Sequence, residues 1–327
     1  MDDLIALRVS SARSTNPDQR LLRNAARGKP RRLRLNRQMQ ADQAFRAILA
    51  DCLGAASAQA GILRAGRSVE ALHHLRVALR RLEVMLAAFG KAFGQDWFAD
   101  LRGRAKAISA RLGPARDLDV FLEDLWPDVT RSLAASGGTG DFVPLRRAAE
   151  DACAIAWQAV GETIVSEDFA HFLDDIAALS QSRLPLGRGE KIRPLARQML
   201  KLAAQRVERR GRKAKNRDEA DLHRLRIALK KLRYLTQMFA PLQAGKRVKS
   251  YLKSLKRMQE ELGHLNDISH VRTTIAGLMR DGDAAAIGYG AGLVLGHYGA
   301  GRDRAAKQAL KSYRNFRKLT PFWKKRG

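Results

Sequence analysis

His73, Arg76 and Arg80 stand at i, i+3 and i+7, with Arg81 beside them, in the run Leu72-His73-His74-Leu75-Arg76-Val77-Ala78-Leu79-Arg80-Arg81-Leu82. On a helix of 100° per residue the first three fall within about 60° of one another. Leu75, Ala78, Leu79, Leu82 and Leu86 gather on the opposite side, as a buried stripe would. Cations stacked one turn apart repel and weaken a bare helix. They are tolerated when solvated, or when an anion runs along the row. Arginine offers several planar donors to an oxyanion and lysine a mobile point charge. Histidine adds an N–H donor and gains a proton more readily beside an anion. Such a face is suited to holding a polyanion.

The same run returns 150 positions later as Leu222-His223-Arg224-Leu225-Arg226-Ile227-Ala228-Leu229-Lys230-Lys231-Leu232. His223, Arg226 and Lys230 take the three row positions, with Lys231 and Arg224 at the flanks. The offset persists at Leu112-Gly113 and Leu262-Gly263, and at Asp117 and Asp267. No insertion separates the two elements in either copy, so the chain carries one structural unit twice. The cations are repeated along with the leucines.

These faces need helices to present them, and helical periodicity dominates from about residue 38 to 320. Breaks are expected at Gly66, Gly90–Gly94, Gly113-Pro114, 136–140, 183–194, Gly211, Pro241–Gly245 and Gly263. The segments between them predict an all-α protein of long antiparallel helices. They are arranged as two four-helix bundles related by an internal pseudo-twofold. The expected organisation is a flexible basic N-terminal arm over 1–37, a first helical half over 38–185, and a second over 186–327 ending in a basic tail. Arg183–Gly189 is the best linker candidate.

The formal net charge is +28 with a pI near 11.0, a field that attracts nucleic acid, an anionic membrane surface or a phosphate polymer. Residues 8–37 hold ten Arg or Lys and one acid, and residues 189–257 hold twenty-two bases against five acids. Residues 117–175 reverse the balance, with thirteen acids against three bases, so the field is shaped rather than uniform. Aromatic content of 6% argues against base stacking as the main recognition mode. Cys52 and Cys153 lie in apolar segments without CxxC spacing, as reduced core residues of a cytoplasmic protein. The start Met1-Asp2-Asp3-Leu4 lacks the marks of a signal peptide, and the apolar stretch Ala284–Leu295 is too short and Gly-rich for a membrane span.

The His-x-x-Arg-(Val/Ile)-x-x-basic-basic-Leu helix, followed by (Leu)-Gly-x-x-x-Asp-(Leu/Ile) at Leu112–Leu118 and Leu262–Ile268, resembles the signature of the CHAD family, the conserved-histidine alpha-helical domain. The resemblance covers roughly residues 38 to 320, with both signature copies present. It implies two four-helix bundles about a pseudo-twofold, whose basic helix faces bind inorganic polyphosphate. It further implies contacts from His73, Arg76, Arg80 and Arg81, and from His223, Arg226, Lys230 and Lys231. Lys106 and Lys256, also 150 apart, are matched cations added to that set. Glu83 corresponds to Arg233, so the second half is expected to attract anions more strongly. The Glu-x-Glu-x-Lys mark of the enzyme domain often fused to this family is missing. A stand-alone binding module without catalytic residues or cofactor is therefore expected, cytoplasmic and associated with polyphosphate granules. The alternative is a protein that coats nucleic acid without reading sequence, for which no recognition motif speaks.

Other constellations are read structurally. His264, Asp267 and His270 lie at i, i+3 and i+6, but three residues of one helix rarely complete a metal shell. Asp267, just past Gly263, reads as the N-cap of a following helix. Gly288, Gly292 and Gly296 form a small-residue edge expected to allow close helix approach, with Tyr289, Leu293 and Leu295 packing beside it. No P-loop, zinc-protease or hydrolase motif occurs.

Overall fold

The hydroxyl of Ser68 accepts from the Ala71 N–H at 3.2 Å and starts a helix that runs to Phe93. Gly94 ends it in the left-handed region, at φ 67°, with its N–H returned to the Gly90 carbonyl. This and the other elements belong to a computed structural model that describes residues 33, 35–135, 142–182, 189–243 and 245–324. Most of the N-terminal arm and most of the expected linker lie outside the described residues; of the arm, residues 33 and 35–37 are described, and Leu35 is buried. Among those described the chain is all-α, with one isolated β-bridge, Gln40 to Lys191, and no strands.

The chain divides into two compact units. The first takes residues 1–109 and 161–192. Its helices are α1 (Ala41–Ala65), α2 (Val69–Phe93), most of α3 (Phe98–Arg111) and α7 (Glu167–Gln181). Phe45 is fully buried between Phe89 at 5.1 Å and Phe98 at 5.2 Å, while Phe169, Phe172 and Ile176 bring α7 into the same core. Each such side chain contributes about 1.5–3 kcal/mol on burial.

The second unit takes residues 110–160 and 193–327. It holds α4 (Gly113–Asp119), a π-helical segment (Val120–Leu125), α5 (Trp126–Ala135), most of α6 (Val143–Val165) and α8 (Ile192–Lys213). It also holds α9 (Glu219–Phe239), α10 (Lys246–Asp281), α11 (Ala284–Ala300) and α12 (Arg302–Arg317). One core joins Phe121, Trp126 and Val129 to Leu145, to Ile268, Val271 and Ile275 of α10, and to Ile287 and Val294 of α11. The units therefore cut across the sequential halves 38–185 and 186–327, because residues 110–160 pack on the C-terminal half of α10 and on α11.

Three sequence expectations change. Gly263 does not break a helix: α10 runs unbroken through it for 36 residues, so Asp267 is mid-helix and caps nothing. In the first copy the matching position does break, because Pro114 has no N–H to give and instead sits in the first turn of α4. Gly211 is likewise helical; a Cβ there would lie 2.0 Å from the Tyr313 ring, so the glycine permits α8 and α12 to touch. A Cβ on Gly288, Gly292 or Gly296 would meet nothing within 4 Å, whereas one on Gly290 would lie 3.3 Å from Leu145, and Tyr289 is exposed.

Candidate functional site: two cationic helix faces

Both signature helices turn their leucines inward as the wheel demands. Leu72, Leu75, Ala78, Leu79, Leu82 and Leu86 of α2 are buried, and so are Leu222, Leu225, Ala228, Leu229, Leu232 and Leu235 of α9. That burial fixes the rotation of each helix. His73 is therefore exposed with Arg76 and Arg80 partly buried, and His223 is exposed with Arg226 and Lys230 partly buried. Caps match too: Ser68 starts α2, and Asp218 starts α9 by accepting from the Asp221 N–H at 2.9 Å.

The arginine at the centre of each row is held by the next helix. In the first unit Arg76 Nη1 donates to the Ser109 carbonyl at 2.8 Å. In the second, Arg226 Nη1 donates to Asn266 Oδ1 at 2.6 Å. Each anchor aligns one edge of the guanidinium fork. Lys106 lies three residues before Ser109 on α3, hence on the same side of that helix, and is exposed. Lys256 is exposed on α10, with Glu260 3.5 Å from its ammonium.

Arg81 and Lys231 part company. Arg81 Nη2 is paired with Asp51 Oδ2 of α1 at 2.8 Å, both side chains being under a quarter exposed. Position 201, which matches Asp51, is a lysine, and Lys231 is exposed. Asp51 and Glu83 of the first unit thus become Lys201 and Arg233 in the second, which makes its α8–α9 surface more positive.

Although exposed, the His223 imidazole is held below its ordinary range, first by the desolvation its neighbours impose and then by the Arg226 and Lys230 charges, against a hydrogen bond with Asn266. Asp267 is pushed up by burial, although Arg226, His264, His270 and Lys230 oppose the shift. His270 is raised, chiefly by its hydrogen bond to Asp117, whose Oδ2 lies 3.2 Å from Nε2. His264, Asp267 and His270 thus work as members of a charge network. Among the described residues no group of three His, Cys, Asp or Glu is placed to hold a metal, and no helix is long and apolar enough to cross a membrane.

Both cysteines are buried and free, and burial lifts the Cys52 thiol to about 12. Asn266 and Arg302 escape a reading based on the repeat. Asn266 matches Arg116, and Arg302 stands where the tail was read only as basic. Yet both line a pocket with His223 and Arg226.

Fold and site define an all-α protein with a duplicated cationic helix face. The chain belongs to the CHAD domain family, whose model matches residues 47–276. It is similar in fold to the CHAD domain from the plant Ricinus communis, with a TM-score of 0.78 and 24% identity over 90% of this chain and 97% of that one. It is also similar to PptA from Streptomyces chartreusis, with a TM-score of 0.62 and 20% identity over 85% and 99%. No curated protein matches in sequence.

Proposed function

We propose that this protein binds inorganic polyphosphate along the cationic faces of α2 and α9, carries out no chemistry on it, and through it associates with polyphosphate granules in the cytoplasm. The observation that carries the reading is the repeated His-Arg-basic row set opposite a buried leucine stripe. Cations at one-turn spacing suit a ligand with a charge on every unit, and a forked arginine at the centre of each row suits phosphate oxygens. Family membership supports the same ligand by resemblance.

Competition tests it. Fluorescent long-chain polyphosphate bound to the full chain is challenged with single- and double-stranded nucleic acid at matched phosphate concentration. Polyphosphate is expected to resist displacement and, in the reverse arm, to strip nucleic acid from the protein. Displacement of polyphosphate by nucleic acid would favour the nucleic-acid reading. In cells, the protein is expected on polyphosphate granules and to disperse when polyphosphate is depleted.

A further inference from the structure

In the second unit the cationic row of α9 runs into a small, shallow pocket open to solvent, lined by three leucines and by His223, Arg226, Asn266, Ser269, Arg302 and a single acid, Glu219. Glu219 is one turn N-terminal to His223 on the same face of α9, so it stands where the next member of the row would be. Its Oε2 lies 3.5 Å from both Arg302 Nη2 and Arg272 Nη1, and its Oε1 accepts from the Ser269 hydroxyl. Two guanidinium groups and a hydroxyl from α10 and α12 thus converge on one carboxylate at the positive end of a helix. That is a donor set for a phosphoryl group. Position 69, the match of Glu219 in the first unit, is a valine, so the arrangement belongs to the second unit only.

The two kinds of unit in a linear polyphosphate differ in charge. An internal unit carries one ionised oxygen; a terminal unit has a second, so near pH 7 it bears about −1.5 to −2, like a phosphomonoester. We propose that the pocket receives the terminal phosphoryl group of a linear polyphosphate, and that the Glu219 carboxylate occupies the place in its absence. This rests on the polyphosphate reading above and adds a chain-end subsite to it. Internal units follow the row from Lys230 to His223, and the doubly charged end displaces Glu219 from Arg302, Arg272 and Ser269.

The test uses two inorganic anions with the same number of phosphorus atoms: linear triphosphate, which has ends, and cyclic trimetaphosphate, which has none. Calorimetry on the full chain at fixed ionic strength compares wild type with Glu219→Gln and Arg302→Gln. Glu219→Gln, which removes the competing charge, is expected to tighten linear triphosphate about three- to tenfold. Arg302→Gln is expected to weaken it about tenfold. Trimetaphosphate affinity moves by less than twofold in both variants. Unchanged triphosphate affinity, or equal changes for the ring, would overturn the subsite. Should Glu219→Gln lose its helical circular-dichroism signal, Arg302→Gln decides alone. Long-chain polyphosphate is titrated alongside: if it binds while both variants behave as wild type, only the end subsite fails. If it does not bind at all, the underlying reading fails.

Discussion

Ser109 donates its hydroxyl to Glu83 Oε1 at 3.2 Å, and 150 residues later Gln259 accepts from Arg233 at the matching pair of positions. The contact between the signature helix and its successor is retained while its charge is inverted. With Asp51 replaced by Lys201, the second unit exchanges two acids for two bases around the same row. Its row therefore sits in the more positive field.

That asymmetry sets the order of two substitutions. Arg226→Gln is expected to cost more polyphosphate affinity than Arg76→Gln, each losing about 1–3 kcal/mol for a charge-assisted contact. Isothermal titration at one salt concentration ranks them. Equal losses would mean that the neighbouring charges do not reach the ligand.

The histidine of the second row reports on the ligand directly. His223 starts below its ordinary pKa, first because neighbouring atoms desolvate its ring and then because Arg226 and Lys230 lie beside it. A polyanion lying on the row offsets those charges and raises it, so binding takes up protons and strengthens as pH falls through the histidine range. Titrations near pH 6 in two buffers of different ionisation heat should show net proton uptake. His223→Gln should abolish most of it.

The His270–Asp117 pair ties α4 to α10 and has its own pH signature. The folded pKa of His270 is raised, so the imidazolium is favoured in the native state. The stability it adds is fully present below the unfolded value of 6.5 and is lost as pH rises through the folded value. Asp117→Asn should lower the His270 pKa, measured by NMR titration, and remove that pH-dependent increment from the denaturation midpoint.

Much of this was legible from residue types alone. The leucine stripe and the cations of α2 and α9 face as the wheel placed them, because burial of Leu75, Leu79, Leu225 and Leu229 leaves no other rotation. Glycine was the weak point. Gly211 and Gly263 look alike in sequence, yet both are helical, the first because Tyr313 of α12 needs the space. In sequence the acidic stretch 117–175 is a locally negative block in a shaped field, but tertiary pairing absorbs part of it. Asp117 meets His270, Asp175 meets Arg104 at 2.5 Å, and the buried Asp119 accepts from the Trp157 indole at 2.9 Å. Such partners lie tens of residues away and leave no local trace.

The Gly211 contact gives a prediction free of any ligand. Gly211→Ala places a methyl group on the Tyr313 ring, whose hydroxyl donates to the Glu208 carbonyl at 3.3 Å. The overpacking is expected to cost about 1–3 kcal/mol, read by urea denaturation. Combining it with Tyr313→Leu should recover part of the loss. Full stability in the single variant would show that α12 can shift freely.

Calorimetric titration of long-chain polyphosphate across 50 to 500 mM salt, on wild type and on Arg76→Gln/Arg226→Gln, tests most directly whether the paired rows hold the polymer. Wild-type affinity should fall steeply with salt as counterions are recaptured. The double variant, still folded by circular dichroism, should bind at least about tenfold more weakly with a shallower slope. An unchanged affinity and slope in that folded variant would contradict the assignment of the α2 and α9 faces as the binding surface.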